Sequence, residues 1–314
     1  MVTVGADFEG QRLDNFLLRE LKGVPRSLIY KIVRKGEVRV NKGRTNVKYR
    51  LQTGDLVRIP PVRRPSADNN SQNQPHRGLQ ERIADSILYE DKQLLVLNKP
   101  SGVAVHGGSG ISFGVIETLR AMRPEEKSLE LVHRLDRETS GCLMITKRRS
   151  MLAHLHELIR SDQIEKKYLA LVDGDWGRKQ QVTVDAPLKK NTLKGGERVV
   201  TIDADGKPSI THFTVQEKFT AQEQLGSCML IEVLLETGRT HQIRVHLASL
   251  KTPILGDVKY GDQTANKTMR QIGLHRLFLH AHRLTFTHPE SGKLMTFKAP
   301  MDAELTETLK ILRG

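Results

Sequence analysis

The first sixty residues alternate between helical and extended spacing of apolar positions. Leu13, Phe16, Leu17 and Leu21 recur at helical intervals and predict a short first helix. Pro25 breaks the chain, and Ser27 suits the N-cap of a second helix. That helix places Leu28, Ile29, Ile32 and Val33 on one face, with Lys31, Arg34 and Lys35 roughly opposite. Gly36 supplies a residue that tolerates the left-handed conformation closing a helix. Extended patterns at residues 38–40 and 56–59, with a turn at Asn41, Lys42 and Gly43, complete a small α/β module over residues 1–64.

The pattern then lapses. Residues 65–80 are polar, include Pro65 and Pro75, and show no apolar period, so they read as a flexible linker. Periodicity returns over residues 81–314. Strands are expected at 94–97, 142–146, 168–172 and 229–235, with a loop at 98–110. Helices are expected near 115–122, from Ser150 with Leu152, Leu155, Leu158 and Ile159 on one face, and near 242–250. Strands and helices do not alternate as in a βαβ series. The expected class is therefore α+β, with a mixed, mainly antiparallel sheet in the larger domain.

Charge changes this picture. The 314 residues carry 50 Lys plus Arg against 36 Asp plus Glu, a formal charge of +14 that favours a polyanionic partner. Residues 1–64 alone hold 15 basic and 6 acidic residues. Arg26, Lys31, Arg34, Lys35, Arg39 and Lys42, with Arg44, Lys48 and Arg50 beyond, form a run of one sign. Such a run is either a solvated surface or a set of phosphate contacts that release counterions. No apolar stretch approaches the roughly 18 residues of a membrane span, and the start lacks a basic-then-apolar signal pattern. Cys142 and Cys228 sit in apolar runs and read as small buried residues in a reducing compartment. A cytoplasmic monomer is expected. Closely spaced metal-ligand sets are missing from the sequence, and Gly107, Gly108 and Gly110 lack the Lys-Ser/Thr of a phosphate loop. No metal, nucleotide or other cofactor is expected.

Three segments carry candidate chemistry. In residues 132–141, Asp136 lies between Arg134 and Arg137 in a polar loop that enters an apolar strand. This is either a surface ion-pair loop or a carboxylate flanked by guanidinium groups for a purpose. Tyr168 follows Glu165, Lys166 and Lys167 at a strand entry, where a ring can simply cover the core. Residues 236–246 contain Arg239, His241, Gln242, Arg244 and His246, which on a helix can form no more than a polar face.

Together and in order, HRLDRETSG, KKYLALV and TGRTHQIRVHL closely resemble the RluA family of pseudouridine synthases. NKPSGVAVH, PILGDVKYG and RLFLHAHRLTF match the same family, so the likeness spans nearly all of residues 81–314. The stretch QRLDNFLLRELKGVPRSLIYKIVRKGEVRVNKG resembles the S4 RNA-binding domain, which implies a helix pair docking on folded ribosomal RNA. The motif wording is most similar to members acting on 23S rRNA, the RNA of the large ribosomal subunit.

The resemblance implies a pseudouridine synthase fold and the isomerisation of uridine to pseudouridine, which imports no group and oxidises nothing. It makes Asp136 the catalytic carboxylate, attacking the anomeric carbon or removing the 2′ proton. It makes Tyr168 the ring that stacks on uracil and helps remove the C5 proton, and Arg244 the guanidinium that opposes the desolvation of the carboxylate. A stacked uridine must be flipped out at a cost of a few kcal/mol. Arg134, with His133 beside it, is implied to fill the gap. Two rivals are an S4-type RNA-binding protein without catalysis, and an S4-linked methyltransferase. The second needs a glycine-rich loop after a strand in a βαβ unit, and none is seen in the sequence.

Overall fold

The computed structural model describes residues 1–21, 24, 26–62, 74–108, 112–192, 198–219 and 226–314. These fall into two compact units, Met1–Gln74 with Arg148–Ser150, and Pro75–Lys147 with Met151–Gly314.

The N-terminal unit contains strand β1 (Val2–Thr3), helices α1 (Leu13–Glu20) and α2 (Arg26–Arg34), and strands β2 (Arg39–Val40), β3 (Gly43–Arg44) and β4 (Leu56–Arg58). The strands form an antiparallel sheet in the order β1-β4-β2-β3. Leu13, Phe16, Leu17, Ile29, Ile32 and Val33 are buried together, which is the expected pairing of the two helical stripes. Asn41 and Lys42 take positive φ of 49° and 66°, so the β2–β3 turn is a two-residue hairpin turn. Gly36 ends α2 at φ 74°.

The second unit begins with helix α3 (Arg77–Ala84) and strands β5 (Ile87–Glu90) and β6 (Leu94–Lys99). Helix α4 (Val115–Met122), strands β7 (Glu130–Leu131) and β8 (Ser140–Thr146), and helix α5 (Arg149–Arg160) follow. Next come β9 (Glu165–Asp173), β10 (Gln181–Asp185), β11 (Leu188–Thr192), β12 (Arg198–Ile202), β13 (Ile210–Phe219) and β14 (Cys228–Leu235). The chain ends with α6 (Gln242–Ser249), α7 (Gln263–Gln271), β15 (Leu279–Thr287), β16 (Leu294–Lys298) and α8 (Ala303–Arg313). The large sheet runs β10-β13-β14-β9-β15-β8-β6-β5, with β16 beside β15 and β7 beside β8. Among the described residues β15 and β8 are its one parallel pair, so the expected mixed, mainly antiparallel α+β architecture is what forms.

The sheet is covered on both faces near its centre. In β6, Leu95 and Leu97 join the core under α3, α4, α6, α7 and α8, while Leu94 and Val96 join a second core under α5. In β8, Leu143 and Ile145 face the first core, and Cys142 and Met144 the second. This double burial is why both strands read as continuous apolar runs. A third, small cluster sets Leu188 and Val200 of the β11–β12 hairpin against Val245 of α6, with Tyr260 packed beside them.

Three expectations need correction. Residues 77–80 of the expected linker are the first turn of α3, because the His76 side chain accepts the Leu79 N–H and Leu79 and Ile83 have a core to enter. Residues 63–73 lie outside the described residues. Ser27 and Ser150 stand one residue inside their helices, since α2 and α5 begin at Arg26 and Arg149; sequence locates a cap only to within a residue or two. Strands β6 and β8 extend to Lys99 and back to Ser140, because Asn98 pairs with Cys142 and Lys99 with Gly141.

Candidate active site

The loop between β7 and β8 carries Asp136, and each end of it is anchored. Val132 and Leu135 are buried in the two cores, while Arg134 is exposed and Asp136 half-buried. The Thr139 N–H donates to the Asp136 carbonyl at 3.2 Å and closes a turn around the acid. Behind it, the loop after β6 supplies a brace. Gly102 N–H donates to Arg137 O at 3.0 Å, Arg137 Nε donates to Gly102 O at 3.0 Å, and Ser101 Oγ donates to Glu138 O at 2.8 Å. Lys99 is fully buried, and its ammonium donates to the carbonyls of Pro100, Val103 and Arg137 at 2.8–3.0 Å. Burial, reinforced by the Arg276 guanidinium, pushes its pKa down to about 7, against the opposing charges of Glu138 and Asp136.

The C-terminal end of the loop is pinned by Ser140. Its hydroxyl accepts from Arg276 Nη2 at 2.7 Å, leaving its proton for Nδ1 of His280 at 2.8 Å. His280 Nε2 then donates to Ala299 O at 3.0 Å, and burial pushes this imidazole down to about 4, so it is neutral. Gly141 follows at φ 109°, where a Cβ would come within 2.3 Å of Ala281 O. Only glycine permits that approach of β8 to β15.

Helix α6 supplies the cation. Arg244 places Nη1 3.7 Å from Asp136 Oδ2 and is held from behind by Asp257. That pair is bidentate, with Nε to Oδ2 at 2.7 Å and Nη2 to Oδ1 at 2.8 Å, and both side chains are buried. Burial opposes both charges, but each partner outweighs it, so Asp257 titrates below its ordinary range and Arg244 above. Asp257 Oδ1 also accepts the N–H groups of Lys259 and Tyr260, and Asn266 of α7 grips the same loop through Gly256 N–H and Asp257 O.

The turn before α6 is equally constrained. Gln242 Oε1 accepts from Thr237 Oγ1 and Arg239 N–H, and its Nε2 donates to Ile210 O and Thr211 Oγ1. Thr211 in turn meets His246 Nδ1 at 2.9 Å. The helical neighbours Gln242 and His246 thus clasp β13; they do not form a solvated face.

Tyr168 enters from β9, its ring on the same buried face as Ala170 and Val172. Burial, and after it the charge of Asp136, raise the Tyr168 hydroxyl above its ordinary range, so it is protonated. Arg134, Asp136, Tyr168, Arg239, His241 and Arg244 line one open hollow floored by Leu135, Leu235, Ile243 and Leu279. Arg134 is exposed at its rim.

His133, expected beside Arg134 in base flipping, is not among the lining residues. Its Nε2 accepts the Met144 N–H at 3.2 Å, and burial pushes it down to about 4. The strand spacing turns it away, toward the sheet. The hollow also contains His241 and is braced by Asp257, Tyr260 and Lys99, for which no role was expected. The signal was present, since NKPSGVAVH and PILGDVKYG stood out as motifs, but spacing along the chain cannot say which carboxylate a distant arginine meets.

On the N-terminal unit, Lys31, Arg34, Lys35 and Lys42 are exposed, whereas Arg39 is half-buried and donates to Lys42 O at 3.3 Å. A Cβ at Gly36 would come within 2.9 Å of Arg44 Nε, so Arg44 lies across the end of α2 and joins helix and hairpin into one basic face. The Arg26 side chain lies outside the described residues.

Removing the brace on Arg244 has a definite consequence. Asp257→Ala leaves a buried guanidinium uncompensated, which should lower stability by roughly 3–5 kcal/mol. Urea unfolding checks this, and an unchanged midpoint would show that Asp257 does not hold Arg244.

Comparison with known proteins bears on this arrangement. Residues 93–249 match the RNA pseudouridylate synthase family, and residues 11–57 match the S4 domain. "Ribosomal large subunit pseudouridine synthase C" of Haemophilus influenzae is 51% identical over 313 residues, spanning 100% of this chain and 95% of that protein. The protein of the same name from Escherichia coli K12 is 53% identical over 316 residues, spanning 100% and 97%. Among solved structures, human RNA pseudouridylate synthase domain containing 4 is similar with a TM-score of 0.59 and 26% identity, covering 75% of this chain and 96% of that one. Human RNA pseudouridylate synthase domain containing 1 has a TM-score of 0.56 and 25% identity, covering 73% and 94%. With its acid loop, its arginine helix and its N-terminal basic unit, this chain belongs to the RNA pseudouridylate synthase family and carries an S4 domain.

Proposed function

We propose that this chain isomerises uridines of large-subunit ribosomal RNA, with Asp136 as the reacting carboxylate. The observation that carries this reading is the convergence of Asp136, Tyr168, Arg244 and Arg134 on one hollow. The bond from ribose C1′ to uracil N1 breaks, the base turns, and a new bond joins C1′ to C5. The C5 proton leaves and N1 gains one, so atoms balance with no added group. Asp136 attacks C1′ or takes the 2′ proton; Arg244 stabilises the carboxylate before either event. Tyr168 offers its ring to the turning base and its hydroxyl to the proton transfer at C5. Arg134, at the rim, is placed to enter the space the flipped uridine leaves. A primer-extension map of carbodiimide-modified 23S rRNA, with and without the purified protein, tests the assignment.

The N-terminal unit of residues 1–64 holds the RNA through Lys31, Arg34, Lys35, Lys42 and Arg39, and Arg26 belongs to the same proposed set. Each phosphate contact steepens the salt dependence of binding by about 0.7–0.9 in log–log slope. Replacing Lys31, Arg34 and Lys35 together by alanine should therefore flatten the slope by roughly 2–3. Filter binding across a salt series reads this directly, and an unchanged slope would mean the face is merely solvated. Action as a monomer is part of the same proposal. The cytoplasm, where ribosomal RNA is transcribed, is the proposed location.

A further inference from the structure

His241 faces Asp136 across the hollow and has no part in the reaction described above. Its backbone is left-handed, at φ 55° and ψ 17°, a conformation that is uncommon for a residue with a side chain. It stands at the start of α6 and makes no side-chain capping bond there. Its ring is instead suspended between two groups. Nδ1 lies 2.8 Å from the Tyr260 hydroxyl, and Nε2 lies 3.8 Å from Asp136 Oδ2.

Tyr260 decides which nitrogen carries the proton. Its hydroxyl oxygen accepts the Val200 N–H at 3.0 Å, and its own proton is left for His241 Nδ1. The imidazole proton then sits on Nε2, directed at a carboxylate, which is also where the negative charge favours it. The Tyr260 ring packs edge-on against His241 at 5.5 Å and lies 5.0 Å from the Arg244 guanidinium, so one side chain braces both neighbours of the acid. Both neighbours approach the same oxygen, with Arg244 Nη1 at 3.7 Å and His241 Nε2 at 3.8 Å from Oδ2.

We propose that His241 is a positioning residue for the isomerisation: held by Tyr260 with its Nε2–H toward Asp136, it fixes which carboxylate oxygen meets the flipped nucleotide. This rests on the assignment of Asp136 as the reacting carboxylate. The 3.8 Å separation is longer than a hydrogen bond, and such contacts tighten when substrate closes the site. Burial lowers the pKa of His241; Arg244 and Lys259 act in the same direction, while Asp136 and Asp257 oppose them. The imidazole is therefore neutral near pH 7 and serves as a hydrogen-bond donor, not as a second cation. Because Val200 lies on β12, the same bonds tie the β11–β12 hairpin to the acid.

Two near-isosteric replacements separate the functions of the ring. Asparagine tolerates the left-handed backbone and puts an amide oxygen where Nδ1 was, so it keeps the Tyr260 partner but cannot reach Asp136. Glutamine reaches as far as Nε2 and restores a donor. With a 23S rRNA transcript under single-turnover conditions at saturating enzyme, His241→Asn should slow pseudouridine formation by roughly 10–100-fold, the factor that one hydrogen bond to a charged group carries. RNA affinity and melting temperature should be those of the wild type, and His241→Gln should recover most of the rate. Tyr260→Phe, which frees the imidazole to turn, should fall between them. A His241→Asn rate equal to wild type, with Asp136→Asn inactive, overturns the inference. So does an equal loss in the asparagine and glutamine variants accompanied by lower melting temperatures, since the ring is then only structural. An active Asp136→Asn variant overturns the reading of Asp136 itself.

Discussion

Asp136→Asn is expected to fold and bind RNA as the wild type does, and to form essentially no pseudouridine. The two side chains are nearly isosteric, and those of Arg244 and His241 stand 3.7 and 3.8 Å from the acid, outside hydrogen-bond range in the free protein. The Asp257 pair holds Arg244 in place whatever stands at position 136, so packing has little reason to change. The chemistry has no such reserve. An amide neither attacks C1′ nor removes the 2′ proton, the loop's other carboxylate, Glu138, pairs with Arg137 at 3.4 Å, and the nearby Asp257 is held by Arg244. The rate should fall by roughly 10⁴-fold or more, the scale on which loss of a reacting group acts. Single-turnover assays with parallel binding measurements make the comparison. Turnover above that floor in an uncontaminated preparation would remove Asp136 from the reaction.

Tyr168→Phe should produce a different defect. The phenyl ring keeps its place on the buried face of β9 and the stacking surface it offers a base, worth about 1–3 kcal/mol. RNA affinity should therefore persist. The lost hydroxyl is a protonated group beside Asp136, and a positioned proton-transfer group contributes typically 10²–10⁴-fold. The loss should appear late, after the glycosidic bond has broken. Release of tritium from C5-labelled uridine should slow by that factor, and rearranged but unfinished product should accumulate in a quench. Tyr168→Ala should weaken binding as well. Wild-type tritium release from the phenylalanine variant would reduce Tyr168 to a packing ring.

Much of this arrangement was legible in the sequence because it depends on local spacing. The apolar stripes of α1 and α2, the runs in β6, β8, β9 and β14, and helix α4 each follow from periodicity within a few residues. The basic face of α2 follows from the same period. What spacing could not reveal is long-range. Residues 181–192 and 198–219 contain β10, β11, β12 and β13, but their polar alternation suits an exposed edge as well as a loop. Helices α7 and α8 are capped by Asp262 and Asp302, whose carboxylates accept the N–H three residues on, and their stripes are too short to stand out. In the site, Asp136, Tyr168 and Arg244, which stand in the motifs, come together on one hollow. His133 was misplaced, because a side chain one residue from the rim can point into the sheet. Asp257, Tyr260 and Lys99 stand outside the expected set, since each joins the site through a partner in another segment: Arg244, His241 and Arg137.

The most direct test of the central claim uses unmodified 23S rRNA transcript, purified protein and no added cofactor. Carbodiimide treatment followed by primer extension locates pseudouridine, and mass spectrometry of a nuclease digest of the untreated RNA weighs it. Isomerisation through Asp136 gives new stops at discrete uridines with no change in mass, and none with the Asp136→Asn protein. RNA that is bound but yields no stops, or uridines that gain the mass of a methyl group, would contradict it.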